Sequence, residues 1–326
     1  MPTTQSANGQ PFRILPRLTR IAMAFEQPGM IADEILPRVN VEGELFEYTK
    51  VTEKSRLMIP DTKIGRTGAA NQVEFENYNE SDRVIDHGLE APVPVRDIDT
   101  ARAHGALDPM DQATMSVMEL MMLAREKEVA DLVTTAANYA SGLKATLNGT
   151  SGLYYFDDET NGTPIAQIED AMDGMLVRPN TMVVDRLTLT KIKRHPEVVA
   201  RIYPTAVADS GQVTTQQLAD ALELERILVG QAWYDSAKKG QAQTNTRIWG
   251  NALALLHINR GLTSARTTLP TFGFTAQFEQ AFQTGTYFDP KRGIKGVEVV
   301  KVIDQRKALI SYQNAGYLFT NPRNPS

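Results

Sequence analysis

The stretch from Asp108 to Ala140 reads DPMDQATMSVMELMMLAREKEVADLVTTAANYA, and nothing after Pro109 breaks it with glycine or proline. Aspartate followed by proline is a helix start. The carboxylate accepts from first-turn N–H groups, and proline lacks only a donor that would be unpaired there anyway. Met115, Met118, Met122, Val129, Leu132, Val133 and Ala136 predict one apolar face, with Glu119, Arg125, Glu126 and Asp131 among the polar positions. A helix over 109–140 would be about 45 Å long. That exceeds what a compact domain needs and predicts a spine.

Upstream, Leu45 to Val51 and Val73-Glu74-Phe75-Glu76 alternate as strands do. Between them lies a polar, basic stretch with Lys54, Arg56, Lys63 and Arg66, in which Gly65 and Gly68 allow tight turns. The pattern predicts a long two-stranded excursion with a basic tip. An isolated hairpin is marginal in water, so this one should rest on a partner subunit. Residues 1–25 carry Arg13, Arg17 and Arg20 and no acid. The first ten have nothing to bury and read as an arm. Phe12, Ile14, Leu15, Leu18, Ile21 and Phe25 are candidates to anchor the rest on a neighbour.

Downstream, Ser141 to Thr163 is glycine-rich and reads as loop. An α/β-like section follows. Helices are predicted over Ile165–Leu176, Leu187–Arg194 (stopped before Pro196) and Thr214–Leu222, and strands at Thr181–Val184, Ile227–Val229 and Ile248–Ile258. Val297–Ile303 and Ala308–Tyr312 flank Asp304-Gln305-Arg306-Lys307 and predict a hairpin turning on those four polar residues.

Composition narrows the function. With 326 residues, 42% hydrophobic and 22% charged, the chain has enough apolar material for a sizeable core. A net charge of −5 gives no global pull toward nucleic acid or membrane. The lack of cysteine excludes disulfides, thiolate nucleophiles and Cys-based zinc sites, and fits folding in a reducing cytoplasm. Neither a signal peptide nor an apolar run of membrane-spanning length is evident.

No motif carries catalysis. A phosphate loop, a dinucleotide fingerprint and a GxSxG elbow are all absent from the sequence. Gly65-Arg66-Thr67-Gly68 and Gly293-Ile294-Lys295-Gly296 read as turns. His87, His104, His195 and His257 are scattered without metal-ligand spacing, and His195 reads as a cation suited to a helix C-terminus. Asp157-Asp158-Glu159 has no histidine beside it, so a surface cluster is preferred to a cation site. The methionines at 110, 115, 118, 121 and 122 read as packing. Neither a cofactor nor a metal is expected, and the chain reads as a structural protein, not an enzyme.

The ordered features resemble a known family, the major capsid proteins of tailed phages with the Hong Kong 97 fold. The resemblance begins at Leu18-Thr19-Arg20-Ile21-Ala22 and continues through the segment Ile31-Ala32-Asp33-Glu34-Ile35-Leu36-Pro37-Arg38-Val39-Asn40-Val41. It extends through Arg66-Thr67-Gly68-Ala69, Leu123 to Ala130, Arg178 to Val184, Leu189 to Val198, Ile227 to Ala232 and Ile248 to Ala252. It covers about Leu18 to Phe319. Gly152 to Asp157 departs from it, because the family often has tryptophan there.

The resemblance implies an α+β fold of N-terminal arm (1–42), extended β-hairpin loop (43–92), peripheral domain (93–163 and 297–312, with spine helix 109–140) and α/β axial domain (164–296 and 313–326). It implies self-assembly into hexamers and pentamers of an icosahedral phage head enclosing double-stranded DNA. Lys54, Arg56, Lys63 and Arg66 would make intersubunit contacts, and no motif fixes a crosslink partner for Lys54 or Lys63. Arg13, Arg17 and Arg20 would face DNA or pair with neighbouring carboxylates, two readings left open. The implied partners are other copies, a portal protein, a separate scaffold protein, packaged DNA held nonspecifically and, in some relatives, a decoration protein. No membrane is implied, and the place is the virion, built in the host bacterial cytoplasm. The alternatives are an encapsulin-like compartment shell and a different phage structural (tail) protein.

Overall fold

The computed structural model describes residues 29–50, 59–64, 66, 68–72, 78–105, 107–150, 152–203, 213–266 and 269–324, with the backbone of 13–14. The spine helix spans Pro109–Thr134, about 39 Å at 1.5 Å per residue. Asp108 caps it by accepting from Met110 N at 3.0 Å. It stops short of residue 140 because the Thr134 and Thr135 hydroxyls bond back to the Ala130 and Asp131 carbonyls, and the backbone turns extended at Thr135. Asn138 Nδ2 and Tyr139 Oη then donate to the freed Leu132 and Val133 carbonyls at 2.7 and 2.6 Å.

The buried face differs from the one read in sequence. Met115 is exposed, whereas Val117, Met118, Met121, Arg125, Glu126, Val129, Ala130 and Val133 are buried. Two charged residues therefore occupy the apolar stripe.

This helix lies on a sheet built around one long strand, Val297–Ile310. The expected hairpin over 297–312 does not form, and the strand runs straight through Asp304–Lys307. On one side it pairs antiparallel with Ile85–Pro94, from Val297 opposite Pro94 to Arg306 opposite Ile85. On the other it pairs with Gly273–Phe278 and then Gln283–Asp289. From Gln277 to Gln283 that neighbour advances six residues while the long strand advances three, from Arg306 to Ile303. The surplus is taken up by a bulge in which Glu279 and Phe282 adopt positive φ. Arg38–Val41 adds a parallel strand beside Gly273–Phe278, and Arg13–Ile14 pairs with Thr286 and Gly285. Burial alternates without a break from Val302 to Ala308, so Asp304 and Arg306 point inward where a turn was expected.

The second half is a five-stranded sheet in the order Lys144–Thr146, Gly316–Thr320, Ala252–Leu256, Thr181–Asp185, Arg226–Gly230. Thr181–Asp185 is buried throughout. Asp185 then caps Arg186–Arg194 by accepting from Leu187 N and Thr188 N, each at 3.1 Å. Pro164 and Pro196 open the helices Pro164–Asp173 and Pro196–Ile202, and Thr214 with Gln217 forms a capping box on Thr215–Ala221. His195 closes Arg186–Arg194, as expected, its backbone N–H donating to the Ile192 carbonyl at 3.1 Å, and it also caps the start of Pro196–Ile202, its Nδ1 accepting from Glu197 N at 3.3 Å. Among the described residues no helix is long and apolar enough to cross a membrane.

Trp249 joins the halves. It packs in the same core as Val129, Leu256 and Phe272, and its ring fills the space beside Gly230, where an added Cβ would stand 2.0 Å from Cδ1. Gly230→Ala should therefore cost at least about 1–3 kcal/mol through overpacking, measured by urea unfolding. A variant as stable as the parent would show that the ring yields freely.

Candidate assembly interface

The hairpin Leu45–Lys50 with Tyr78–Arg83 pairs only with itself among the described residues, from Leu45 opposite Arg83 to Lys50 opposite Tyr78. The expected second strand at Val73–Glu76 lies outside the described residues. The root is anchored: Phe46 and Tyr48 pack with Val39 and Phe274, and Thr49 N donates to the Ala265 carbonyl at 3.4 Å. Tyr48 Oη donates to Glu80 at 2.6 Å, and burial together with that carboxylate pushes the phenol well up.

Every described residue from 59 to 72 is exposed, Ile59 at 95% and Ile64 at 56%. Asp61 organises this tip, its carboxylate accepting from Lys63 N at 3.0 Å and its carbonyl from Asn71 Nδ2 at 2.7 Å. Lys63 and Arg66 are exposed here. Lys54 and Arg56 lie outside the described residues. Of the arm cations, Arg13 is described only as backbone in its strand, and Arg17 and Arg20 lie outside the described residues.

Behind the root runs a cluster of charges that sequence reading did not single out. Arg306 reaches Glu128 at 3.0 Å and Asp304 at 3.1 Å. Asp304 also takes Arg38 at 3.1 Å, Arg38 reaches Asp33 at 3.0 Å, and Asp33 takes Arg125 Nε at 3.0 Å. Signs alternate along the whole path. Arg125, Asp304 and Arg306 are at most 1% exposed. Burial, reinforced by the like charge of Arg38, lowers Arg125 to about 10, so it stays cationic at neutral pH. Burial would raise the Asp33 carboxyl, but Arg125 and Arg38 together hold it below the usual range.

Glu126 is a separate junction. Its carboxylate accepts from Ile31 N at 3.0 Å, Ala32 N at 2.8 Å and Trp249 Nε1 at 2.6 Å. Burial raises it despite those donors. The signal for both residues was present in the sequence. Arg125 stands four residues from Met121 and from Val129, on the buried stripe itself. No group of three or more acids and histidines arranged to hold a metal occurs among the described residues.

A protruding hairpin, a braced spine and an α/β half define a shell-building subunit, and known proteins agree. No protein-family model matches the chain. It is 37% identical over 311 residues to the major capsid protein of Pseudomonas phage JBD67, covering 95% of this chain and 97% of that one. The crystal structure of a phage-related protein from Bordetella bronchiseptica RB50 superposes with a TM-score of 0.74 at 22% identity, covering 97% and 100% of the two chains. The capsid structure of cyanophage P-SCSP1u gives 0.55 at 11% identity, covering 91% and 89%. The chain belongs to the major capsid proteins of tailed bacteriophages, with the Hong Kong 97 fold.

Asp33 is half-exposed and keeps Arg38 when Arg125 is removed. Arg125→Met therefore strands no buried charge and should cost about 1–3 kcal/mol through the buried Leu36 and Thr275 oxygens that lose their donor. Urea unfolding measures this, and a loss below about 0.5 kcal/mol would mean that the guanidinium is not locked in place. Asp33 also sets a pH dependence. Its lowered carboxyl contributes stability above its ordinary value of 3.8, and that contribution is lost as pH falls through the folded-state value. Asp33→Asn should be less stable at neutral pH and lose less on acidification below pH 4 than the parent. Parallel acid slopes would assign the effect elsewhere.

Proposed function

We propose that this subunit assembles into hexamers and pentamers that close an icosahedral head around double-stranded DNA. The observation that carries this reading is the hairpin, whose root is packed into its own subunit while Ile59 and Ile64 stand in water at the far end. Exposed apolar side chains with nothing packed on them among the described residues gain burial against another copy. Lys63 and Arg66, with Lys54 and Arg56, would supply polar contacts around them. Each subunit is then held by several weak contacts, whose sum resists pressure without one strong interface. Heterologous contacts of this kind close into rings and extend into lattices.

In this reading residues 1–42 form the arm and 43–92 the extended loop, its free part ending where Ile85 joins the long sheet. Residues 93–163 and 297–312 form the peripheral domain, and 164–296 with 313–326 the axial domain. The arm arginines Arg13, Arg17 and Arg20 would meet phosphates or neighbouring carboxylates, without sequence preference. A portal protein and a separate scaffold protein are the further partners, with a decoration protein as an addition, and assembly takes place in the host bacterial cytoplasm.

Electron microscopy of the purified protein should show rings, shells or tubes. Deleting residues 54–70 should leave a subunit with unchanged circular dichroism that assembles poorly. Shells formed as efficiently as by the full chain would refute the bridging role.

A further inference from the structure

The helix Arg186–Arg194 turns Leu189 and Ile192 into the core of the five-stranded sheet, beside Met182, Val184 and Val198. Thr188 is buried with them. At about 100° per residue these three share one arc of the helix, and the other positions face away from the sheet. That outer arc holds Arg186, Lys191, Lys193 and Arg194 with Leu187 and Thr190, and no carboxylate. Arg186, Lys191 and Arg194 are exposed, and Lys193 is half-buried.

The two carboxylates nearest in the chain are already engaged. Asp185 is buried and accepts from Leu187 N and Thr188 N, and Glu197 accepts from Ile165 N at 3.1 Å and Ala166 N at 3.3 Å. Exposed cations elsewhere have acidic partners, Arg83 on Glu44, Arg178 on Glu223 and Arg201 on Glu169. None of the four helix cations has one among the described residues. The helix dipole accounts for only part of this charge. It favours Lys191, Lys193 and Arg194 in the last turn, but not Arg186 in the first. Lys191 and Arg194, three residues apart, also repel each other. The face therefore lacks an anion.

Its chemistry limits what that anion is. A protein–protein contact is centred on apolar and aromatic anchors, with charge at the rim. Only Leu187, 41% exposed, offers such a surface here. A polyanion needs cations alone. The nine-residue helix is about 13.5 Å long, and a duplex presents about eight phosphate charges over that length.

We propose that Arg186, Lys191, Lys193 and Arg194 form a sequence-independent binding face for the phosphate backbone of double-stranded DNA. The inference rests on the reading of the shell as a DNA container, and it sets this helix on the inner surface. The chain's net charge of −5 does not oppose it. At physiological ionic strength exposed charges more than about 8 Å away are largely screened, so the local field decides. Phosphate contacts position a duplex without reading its bases. Each one releases counterions, so affinity falls steeply with salt.

Fluorescence anisotropy of a labelled duplex with the purified full-length protein reads binding directly, and circular dichroism checks the fold of each variant. Arg186→Gln, Lys191→Gln, Lys193→Gln and Arg194→Gln together should flatten the slope of log affinity against log salt by about 3–4. Affinity at low salt should fall at least about tenfold. Lys191→Gln with Arg194→Gln alone, both at exposed positions, should flatten the slope by about 2. Unchanged affinity and slope in both variants, or no binding by the parent at low salt, would overturn the proposal. Poly-glutamate at equal charge should displace the duplex poorly. Displacement as effective as by unlabelled duplex would assign the face to an acidic protein segment and overturn it as well. Shell formation is scored separately by electron microscopy without DNA, so failure of this inference and failure of the shell reading give different results.

Discussion

A path of alternating charge, Glu128, Arg306, Asp304, Arg38, Asp33 and Arg125, passes through the point where the spine helix, the long central strand and the strand Arg38–Val41 meet. Taking charges out of water costs several kcal/mol per ion, and attraction offsets that only when partners are held in good geometry. Displacing any one of the three elements would leave a buried charge uncompensated. The cluster thus acts less as a source of stability than as a constraint on relative position. It makes spine, sheet and N-terminal segment one stiff body.

Glu126 extends the constraint to the second half. One carboxylate holds the backbone of Ile31 and Ala32 and the indole of Trp249, tying N-terminal chain, spine and α/β section at a single point. The hairpin is the opposite case. Its root is clamped by Phe46 and Tyr48, and the described residues of its tip, from 59 to 72, are all exposed. A stiff body bearing a thin projection suits a lattice subunit, because the body sets geometry while the projection adapts to a neighbour's surface.

Two places where sequence reading failed share one cause. Asp304-Gln305-Arg306-Lys307 was read as a turn because four polar residues between two valine-rich runs ordinarily face water. Here alternate residues face inward onto Arg38 and Glu128, and the strand continues. Arg125 and Glu126 were placed on the polar side for the same reason. His195 stands at the end of one helix, as read, and its ring also caps the start of the next. Polarity was taken as exposure, and charge pairing reversed that rule.

By itself the sequence determined what local chemistry decides. Asp108-Pro109 starts the spine, Asp185 and Thr214 cap their helices, and the apolar run Thr181–Val184 can only be a buried strand. The ordered motifs pointed to the capsid family. Tertiary structure alone decided the central strand's continuity, the bulge at 279–282 and the charge cluster. Those features rest on partners such as Asp33 and Arg125, 92 residues apart, and Arg38 and Asp304, 266 apart. A residue's neighbours in sequence fix its backbone preference, but whether its charge is solvated or buried depends on what the fold brings opposite it.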